Sequence, residues 1–123
     1  MALFDTTGFR IIEQGMKIIN DYQSVIANNI ANQDTPGYKC KYLSFAGVLS
    51  EKLGADENAE YGKELNLASY IYEDETTNDQ ADGNNVDSDT QQALFAKNAL
   101  LYEALLNQMN SEFDLMRTAM SKT

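Results

Sequence analysis

The chain has 123 residues, 43% of them hydrophobic, with 9 basic and 19 acidic side chains, no His and a formal net charge of −10. That length suits one folded unit, and the acidity is unsuited to nucleic acid or an anionic membrane surface, both of which need a basic face. Without His and with Cys40 as the lone cysteine, the chain offers no internal disulfide, no Cys/His metal cluster and no nucleophile–base pair, so the expectation is a non-enzymatic protein without cofactor or metal.

The acidity is concentrated. Between Asp56 and Thr90 eleven acids stand against one base, Lys63, whereas the remainder carries eight acids and eight bases and is neutral. Neutral arms can pack on copies of themselves without accumulating repulsion, and the acidic middle is best kept in water. The start, Met1-Ala2-Leu3-Phe4-Asp5, has neither the basic region nor the long apolar core of a cleavable secretory signal. No apolar run is long enough to span a bilayer, so an integral membrane protein is not expected.

Asp5, Thr6 and Thr7 are candidate caps for a first helix from about Gly8 to about Asn32. Ile12, Met16, Ile19, Gln23, Ile26 and Ile30 step by four and three, with Ile11, Ile18, Tyr22 and Val25 alongside; Gly15 and Gln23 interrupt this apolar face. Such a helix is marginal alone and needs a partner. Asn28, Asn29 and Asn32 weaken its end, because their amides compete for backbone hydrogen bonds. Pro36, the only Pro, then pushes Thr35 out of the α region, and Thr35-Pro36-Gly37-Tyr38 reads as a type II turn. Cys40, flanked by Lys39 and Lys41, reads as a small, semi-buried side chain.

Beyond the turn, Phe45, Val48, Leu49 and Leu53 fit one side of a short helix ended by Gly54, while Tyr38, Tyr42 and Phe45 fit an extended loop equally well. The alternation of Leu65, Leu67 and Ile71 within Leu65–Tyr72 predicts a short strand in a hairpin or at a sheet edge. Glu73–Asn85 reads as a mobile acidic loop or turn with almost nothing to bury. Asn78, Gln80, Asp82, Gly83 and Asp89 fall at calcium-loop positions, but the first and last ligands are Asn and Asp where an acid and Glu are wanted, which favours a solvated turn.

The last helix carries the clearest pattern. Asp87, Ser88 and Asp89 are candidate caps, with Ser88 and Gln91 spaced as a capping box. Phe95, Ala99, Tyr102, Leu106, Met109, Phe113, Met116 and Met120 then alternate steps of four and three, with Leu94, Leu101, Leu105, Leu115 and Ala119 alongside. The stripe suits coiled-coil packing, and it suits an amphipathic helix on its own core as well. The fold expected is mainly α: two long terminal helices, in arms 1–33 and 87–123, packed as a coiled coil. An irregular middle, 34–86, with a short helix and a short β strand or hairpin, joins them into one structural unit. Ile19, Ile26, Ile30, Phe95, Tyr102, Leu106, Met109 and Phe113 are the residues expected to form the assembly seam.

Asn29-Ile30-Ala31-Asn32, with Asp34-Thr35-Pro36-Gly37-Tyr38-Lys39, resembles the N-terminal motif of the axial proteins of the bacterial flagellum, the rod, hook and hook-associated subunits. Distal-rod and hook subunits carry much larger middles. Asn84-Asn85-Val86-Asp87, Leu101-Tyr102, Ala104-Leu105, Phe113 and Met116–Met120 are similar to proximal-rod subunits, of a branch other than the FlgC-like one. Gln91 and Gln92 depart from it, standing in the neighbourhood where the resemblance implies a Glu.

The resemblance implies a structural subunit of the proximal rod, the hollow drive shaft that transmits torque, on the periplasmic side of the inner membrane. It implies export through the flagellar type III apparatus without a cleavable signal. Implied partners are copies of the chain, FlgC-like and FlgF-like rod proteins, the rod-base adaptor FliE and the membrane ring. Pro36 and Gly37 are expected to set the direction in which the chain leaves the inner layer of the tube. A soluble acidic helical adaptor or export chaperone is the alternative that composition allows, although it has no need of a Pro-Gly break between two neutral arms.

Overall fold

The computed structural model describes residues 7–48, 67–76 and 80–121. Helix α1 spans Thr7–Ala31; the proposed caps Asp5 and Thr6 lie outside the described residues. Its end follows the Asn-rich stretch. The Asn32 Nδ2 donates to the Asn28 carbonyl at 2.8 Å, and the Asn32 N–H donates to the same oxygen at 3.1 Å. The expected type II turn follows: the Tyr38 N–H donates to the Thr35 carbonyl at 3.2 Å, and Gly37 takes a φ of 71°.

Strand β1, Lys41–Leu43, pairs antiparallel with β2, Ile71–Glu73, in the register Lys41 to Glu73, Tyr42 to Tyr72 and Leu43 to Ile71. The strand therefore begins later than its alternation suggested. Leu67–Tyr70 is a 3-10 turn, and Leu65 lies outside the described residues. The Tyr70 carbonyl at the end of that turn accepts from the Ser44 N–H at 2.8 Å, so pairing with β1 decides where the extended segment starts. Residues 45–48 are helical, as the short-helix alternative expects; Leu49, Leu53 and Gly54 lie outside the described residues.

Helix α2 runs from Ser88 to Ser121, 34 residues, or roughly 50 Å at 1.5 Å per residue. It returns antiparallel along α1. Gln91 meets Asn29, Asn98 meets Gln23, and Phe113 stacks tilted on Phe9 with ring centroids 5.1 Å apart. Between these layers a Cβ added at Gly15 would lie 3.1 Å from Leu105 Cδ1. The glycine that interrupts the apolar row of α1 therefore leaves room for the Leu105 side chain of the second helix.

The main apolar cluster joins α1 to the segment around β1, with Leu94 of α2 against it. Tyr22, Val25, Ile26, Leu43 and Val48 are buried together, with Ile18, Ile30, Tyr70, Ile71 and Leu94 packed against them. Phe45 meets the Tyr22 ring edge-on at 5.2 Å. Helix α1 thus packs against both the β ribbon and α2. This apportions the seam unequally: Ile19 and Ile26 are buried, Ile30 and Met109 half-buried, but Phe95, Tyr102, Leu106 and Phe113 remain 40, 38, 40 and 41% exposed. The α2 positions turned most fully inward are Gln91 and Asn98.

A second correction concerns the acidic middle. Residues 80–83 form a turn, one of the two expected outcomes, but the segment does have something to bury: Asn84 and Asn85 are buried, as is Val86 after them. The Gly37 N–H donates to the Asp82 carbonyl at 3.1 Å, and the Asn85 N–H to the Tyr38 carbonyl at 3.4 Å. Composition misleads here because the Asn side chains are satisfied by main chain of Asn32, Thr35, Cys40, Asp74 and Val86 instead of by water.

Candidate functional site: a clamp of buried amides

Four amide side chains join the turn after α1 to the start of α2. Asn29, fully buried, uses its whole hydrogen-bonding capacity. Its Nδ2 donates to the Lys41 carbonyl at 2.8 Å and to Gln91 Oε1 at 3.0 Å. Its Oδ1 accepts from the Lys41 N–H at 3.0 Å and from the Tyr38 hydroxyl at 3.1 Å. The carboxamide therefore pairs with Lys41 as a neighbouring strand would, closing one edge of β1.

Asn84 and Asn85 complete the junction from the second arm. Asn84 Nδ2 donates to the carbonyls of Asn32 at 2.9 Å and Thr35 at 2.8 Å, a second bond to oxygens that already accept from the Thr35 and Tyr38 N–H groups of the turn. Its Oδ1 accepts from the Val86 N–H at 2.8 Å. Asn85 Oδ1 accepts from the Cys40 N–H at 2.6 Å, and its Nδ2 donates to the Asp74 carbonyl at 2.6 Å, bridging the end of the ribbon. Lys39 Nζ reaches the Gly83 carbonyl at 2.8 Å. Among the described residues no buried side-chain nitrogen or oxygen lacks a partner.

Gln91 occupies the centre. Besides accepting from Asn29, its Nε2 donates to Cys40 Sγ at 3.3 Å. Its amide accepts from Asn29 and donates to the sulfur at once, which an ionised carboxylate cannot do. Burial pushes the Cys40 thiol above its ordinary value, which keeps it protonated and inert, in keeping with a small buried side chain. The same inward turn removes the predicted capping box. Asp87 caps α2 instead, its Oδ1 accepting from the Asp89 N–H at 3.1 Å and its Oδ2 from the Thr90 hydroxyl.

The Thr90 hydroxyl and N–H beside Asp87 hold its carboxyl below the usual range. Because the folded value is depressed, the contribution of the cap is present above the unfolded value of about 3.9 and disappears as pH falls through the folded one. Asp87→Asn is expected to abolish this dependence while keeping an oxygen acceptor, which the amide shifts of residues 88–90 during an acid titration will register.

The motif residues thus divide. Asn29 is the hub; Ile30, Asn32 and Tyr38 are half-buried around it; Ala31, Thr35, Pro36 and Gly37 face outward. The partners Asn84, Asn85, Gln91 and Asn98 were not singled out as amide ligands by sequence reasoning. The signal available was a pair of adjacent Asn residues ahead of a helix, the same residue type that ends α1. The calcium-loop spacing is not realised as a site: Asp82 Oδ1 accepts from the Asn84 N–H at 3.1 Å, Asn78 lies outside the described residues, and among the described residues no group of three metal-ligating side chains converges. No described helix is long and apolar enough to cross a membrane.

Two antiparallel terminal helices, clamped by main-chain-directed amides and carrying an exposed apolar flank, define a helical structural module. The family model described as flagella basal body rod protein matches residues 22–39, the end of α1 and the clamp turn. The flagellar basal body rod protein FlgB of Bacillus subtilis (strain 168) is 32% identical over 128 residues, covering 98% of each chain. FlgB of Proteus mirabilis (strain HI4320) is 27% identical over 131 residues, covering 93% of each, and that of Escherichia coli (strain K12) is 28% identical over 117 residues, covering 84% of this chain and 85% of the relative. The chain belongs to the FlgB family of flagellar basal body rod proteins and is a structural, non-enzymatic rod subunit. The chaperone alternative is set aside by a match that runs nearly end to end.

Proposed function

We propose that this chain enters the proximal rod through its two arms, 1–33 and 87–123, and polymerises there as part of the hollow shaft that transmits torque. The observation that carries this reading is the row Phe95, Tyr102, Leu106, Phe113 and Met120 along α2, each of which leaves more than a third of its surface exposed. A row of that length on one helix face is what a subunit completed by neighbouring chains presents. Beside it runs a shallow groove between the helices. Ala27, Ile30, Ala31, Gln92 and Phe95 line one part, and Ile19, Asn20, Gln23, Asn98, Ala99 and Tyr102 line a second. No charged side chain lines these two parts, which suits an apolar helix from another subunit.

In this reading the neighbours are copies of the chain, FlgC-like and FlgF-like rod proteins, the FliE adaptor and the membrane ring. The chain reaches the periplasmic side of the inner membrane through the flagellar type III apparatus. Ile19, Ile26, Ile30, Phe95, Tyr102, Leu106, Met109 and Phe113 form the packing seam, the first group within the subunit and the aromatic group toward its neighbours. Pro36 and Gly37 aim the chain out of the inner layer. Leu106→Asp tests the seam, because a carboxylate placed there must be desolvated on docking. Incorporation into isolated basal bodies is expected to fall about tenfold or more, with the circular dichroism of the purified chain unchanged; incorporation at normal stoichiometry would overturn the reading.

A further inference from the structure

Between α1 and the ribbon the chain makes two consecutive turns that share Thr35. The Thr35 N–H donates to the Asn32 carbonyl at 3.0 Å and closes the first; the Tyr38 N–H donates to the Thr35 carbonyl at 3.2 Å and closes the second. Each bond fixes its own turn. The angle between the two is left to the dihedrals of Thr35, which Pro36 confines only to a broad extended basin. Asn29 meets the ribbon at one residue, Lys41, about which a strand can still swing. Apolar packing against α1 resists separation but has no direction of its own.

The adjacent amides Asn84 and Asn85 span this junction. Asn84 Nδ2 gives one hydrogen to the carbonyl of each turn, Asn32 at 2.9 Å and Thr35 at 2.8 Å, using the lone pair that each oxygen has left. The Asn85 N–H reaches the Tyr38 carbonyl at 3.4 Å, and Asn85 Oδ1 accepts from the Cys40 N–H at 2.6 Å. One dipeptide thus holds the main chain of Asn32, Thr35, Tyr38 and Cys40, on both sides of Pro36-Gly37. The dipeptide is itself braced: the Gln80 N–H donates to the Asn84 carbonyl at 3.0 Å, Asp82 Oδ1 accepts from the Asn84 N–H at 3.1 Å, and Asn84 Oδ1 accepts from the Val86 N–H at 2.8 Å. Asn84 and Asn85 are both buried, so water does not compete for these bonds and the low local dielectric strengthens them.

We infer that Asn84 and Asn85 are positioning residues: they form a splint across the motif turn and fix the angle at which the ribbon leaves α1. Pro36 and Gly37 make the bend possible, and the splint decides its angle. This role rests on the proposed aim of Pro36 and Gly37 out of the inner layer, which the splint keeps constant from subunit to subunit.

The photo-crosslinking amino acid p-benzoylphenylalanine in place of Phe45, whose ring meets Tyr22 edge-on at 5.2 Å across the junction, reads the angle in basal bodies isolated from cells that also express the parent chain. In the otherwise unchanged sequence a product of monomer mass should map around Tyr22. Asn84→Ala and Asn84→Asp both lose the two donated hydrogens, although the aspartate keeps an acceptor for the Val86 N–H. In both, the yield of that product per incorporated subunit should fall roughly fivefold or more. Ile12→Ala, a cavity far along α1, should stay within about twofold of the parent yield. Parent-like yields in both Asn84 variants, or an equal fall in Ile12→Ala, would overturn the inference. If the Asn84 variants do not enter rods, Asn85→Ala decides, since it retains both Asn84 bonds: a fall of roughly twofold to fivefold supports the splint, and a parent-like yield overturns it. The Asn84 variants should also swarm less; a lost cross-link with swarming intact would keep the splint and reject the proposed aim.

Discussion

Asn29→Asp is expected to lower the stability of the folded chain by about 3–5 kcal/mol, the range seen when a buried charge is left without compensation. The substitution is nearly isosteric, so packing is not the cause. A carboxylate cannot donate, and both donor bonds of Asn29, to the Lys41 carbonyl and to Gln91 Oε1, are lost at a fully buried position. The two acceptor oxygens left facing the new carboxylate repel it. Desolvation and that repulsion raise the folded pKa of the introduced acid above the unfolded value of about 3.9. The sign follows: the penalty is smallest below that value, where both states are protonated, and grows as pH rises toward the folded pKa. Urea unfolding at pH 4 and pH 7 will therefore show a larger deficit at pH 7 for the variant than for the parent. Asn29→Leu provides the contrast, because it removes the amide without introducing a charge and should show no such pH dependence.

Gly37→Val is the second large effect, at about 1–3 kcal/mol. Gly37 sits at φ 71°, and a Cβ there would meet nothing within 4 Å. Crowding is therefore absent and the whole effect is backbone strain, which a β-branched side chain suffers most in this region. Relief of the strain means turning the peptide, which breaks the bond from the Gly37 N–H to the Asp82 carbonyl and that from the Tyr38 N–H to the Thr35 carbonyl. Gly37→Asn should recover much of the loss, since Asn tolerates positive φ. Thermal melts of the three chains, together with amide exchange at residues 37–38, give the comparison. Under the proposed role of the turn, Gly37→Val also reduces swarming, whereas Gly37→Asn does not.

The two arms, the turn and the cap region were legible because each rests on local chemistry. Pro36 cannot continue a helix in any context, Gly37 is the residue that accepts positive φ, and the steps of four and three from Phe95 to Met120 define a helix face before any partner is known. The motif from Asn29 to Lys39 likewise pointed to the flagellar axial family before comparison placed the chain among the FlgB proteins.

What the linear pattern could not decide is which side of a broad apolar face turns inward. On α2 the row that reads best as a seam, Phe95, Tyr102, Leu106 and Phe113, stands at the rim, and the centre is taken by Gln91 and Asn98. Hydropathy ranks amides as outward-facing; that ranking fails when the partner groups come from 51 to 79 residues away, as they do for Gln91 with Cys40 and Asn98 with Ile19. The burial in the acidic loop was not legible for the same reason, since Asn84 meets the carbonyls of Asn32 and Thr35, and Asn85 the Cys40 N–H and Asp74 carbonyl, groups that only the folded chain brings within reach. The residues alone determined that there are two long helices with a break after the first. Tertiary structure decided how the arms are aligned and which apolar row is left outside, because a buried amide has value only where a specific partner meets it.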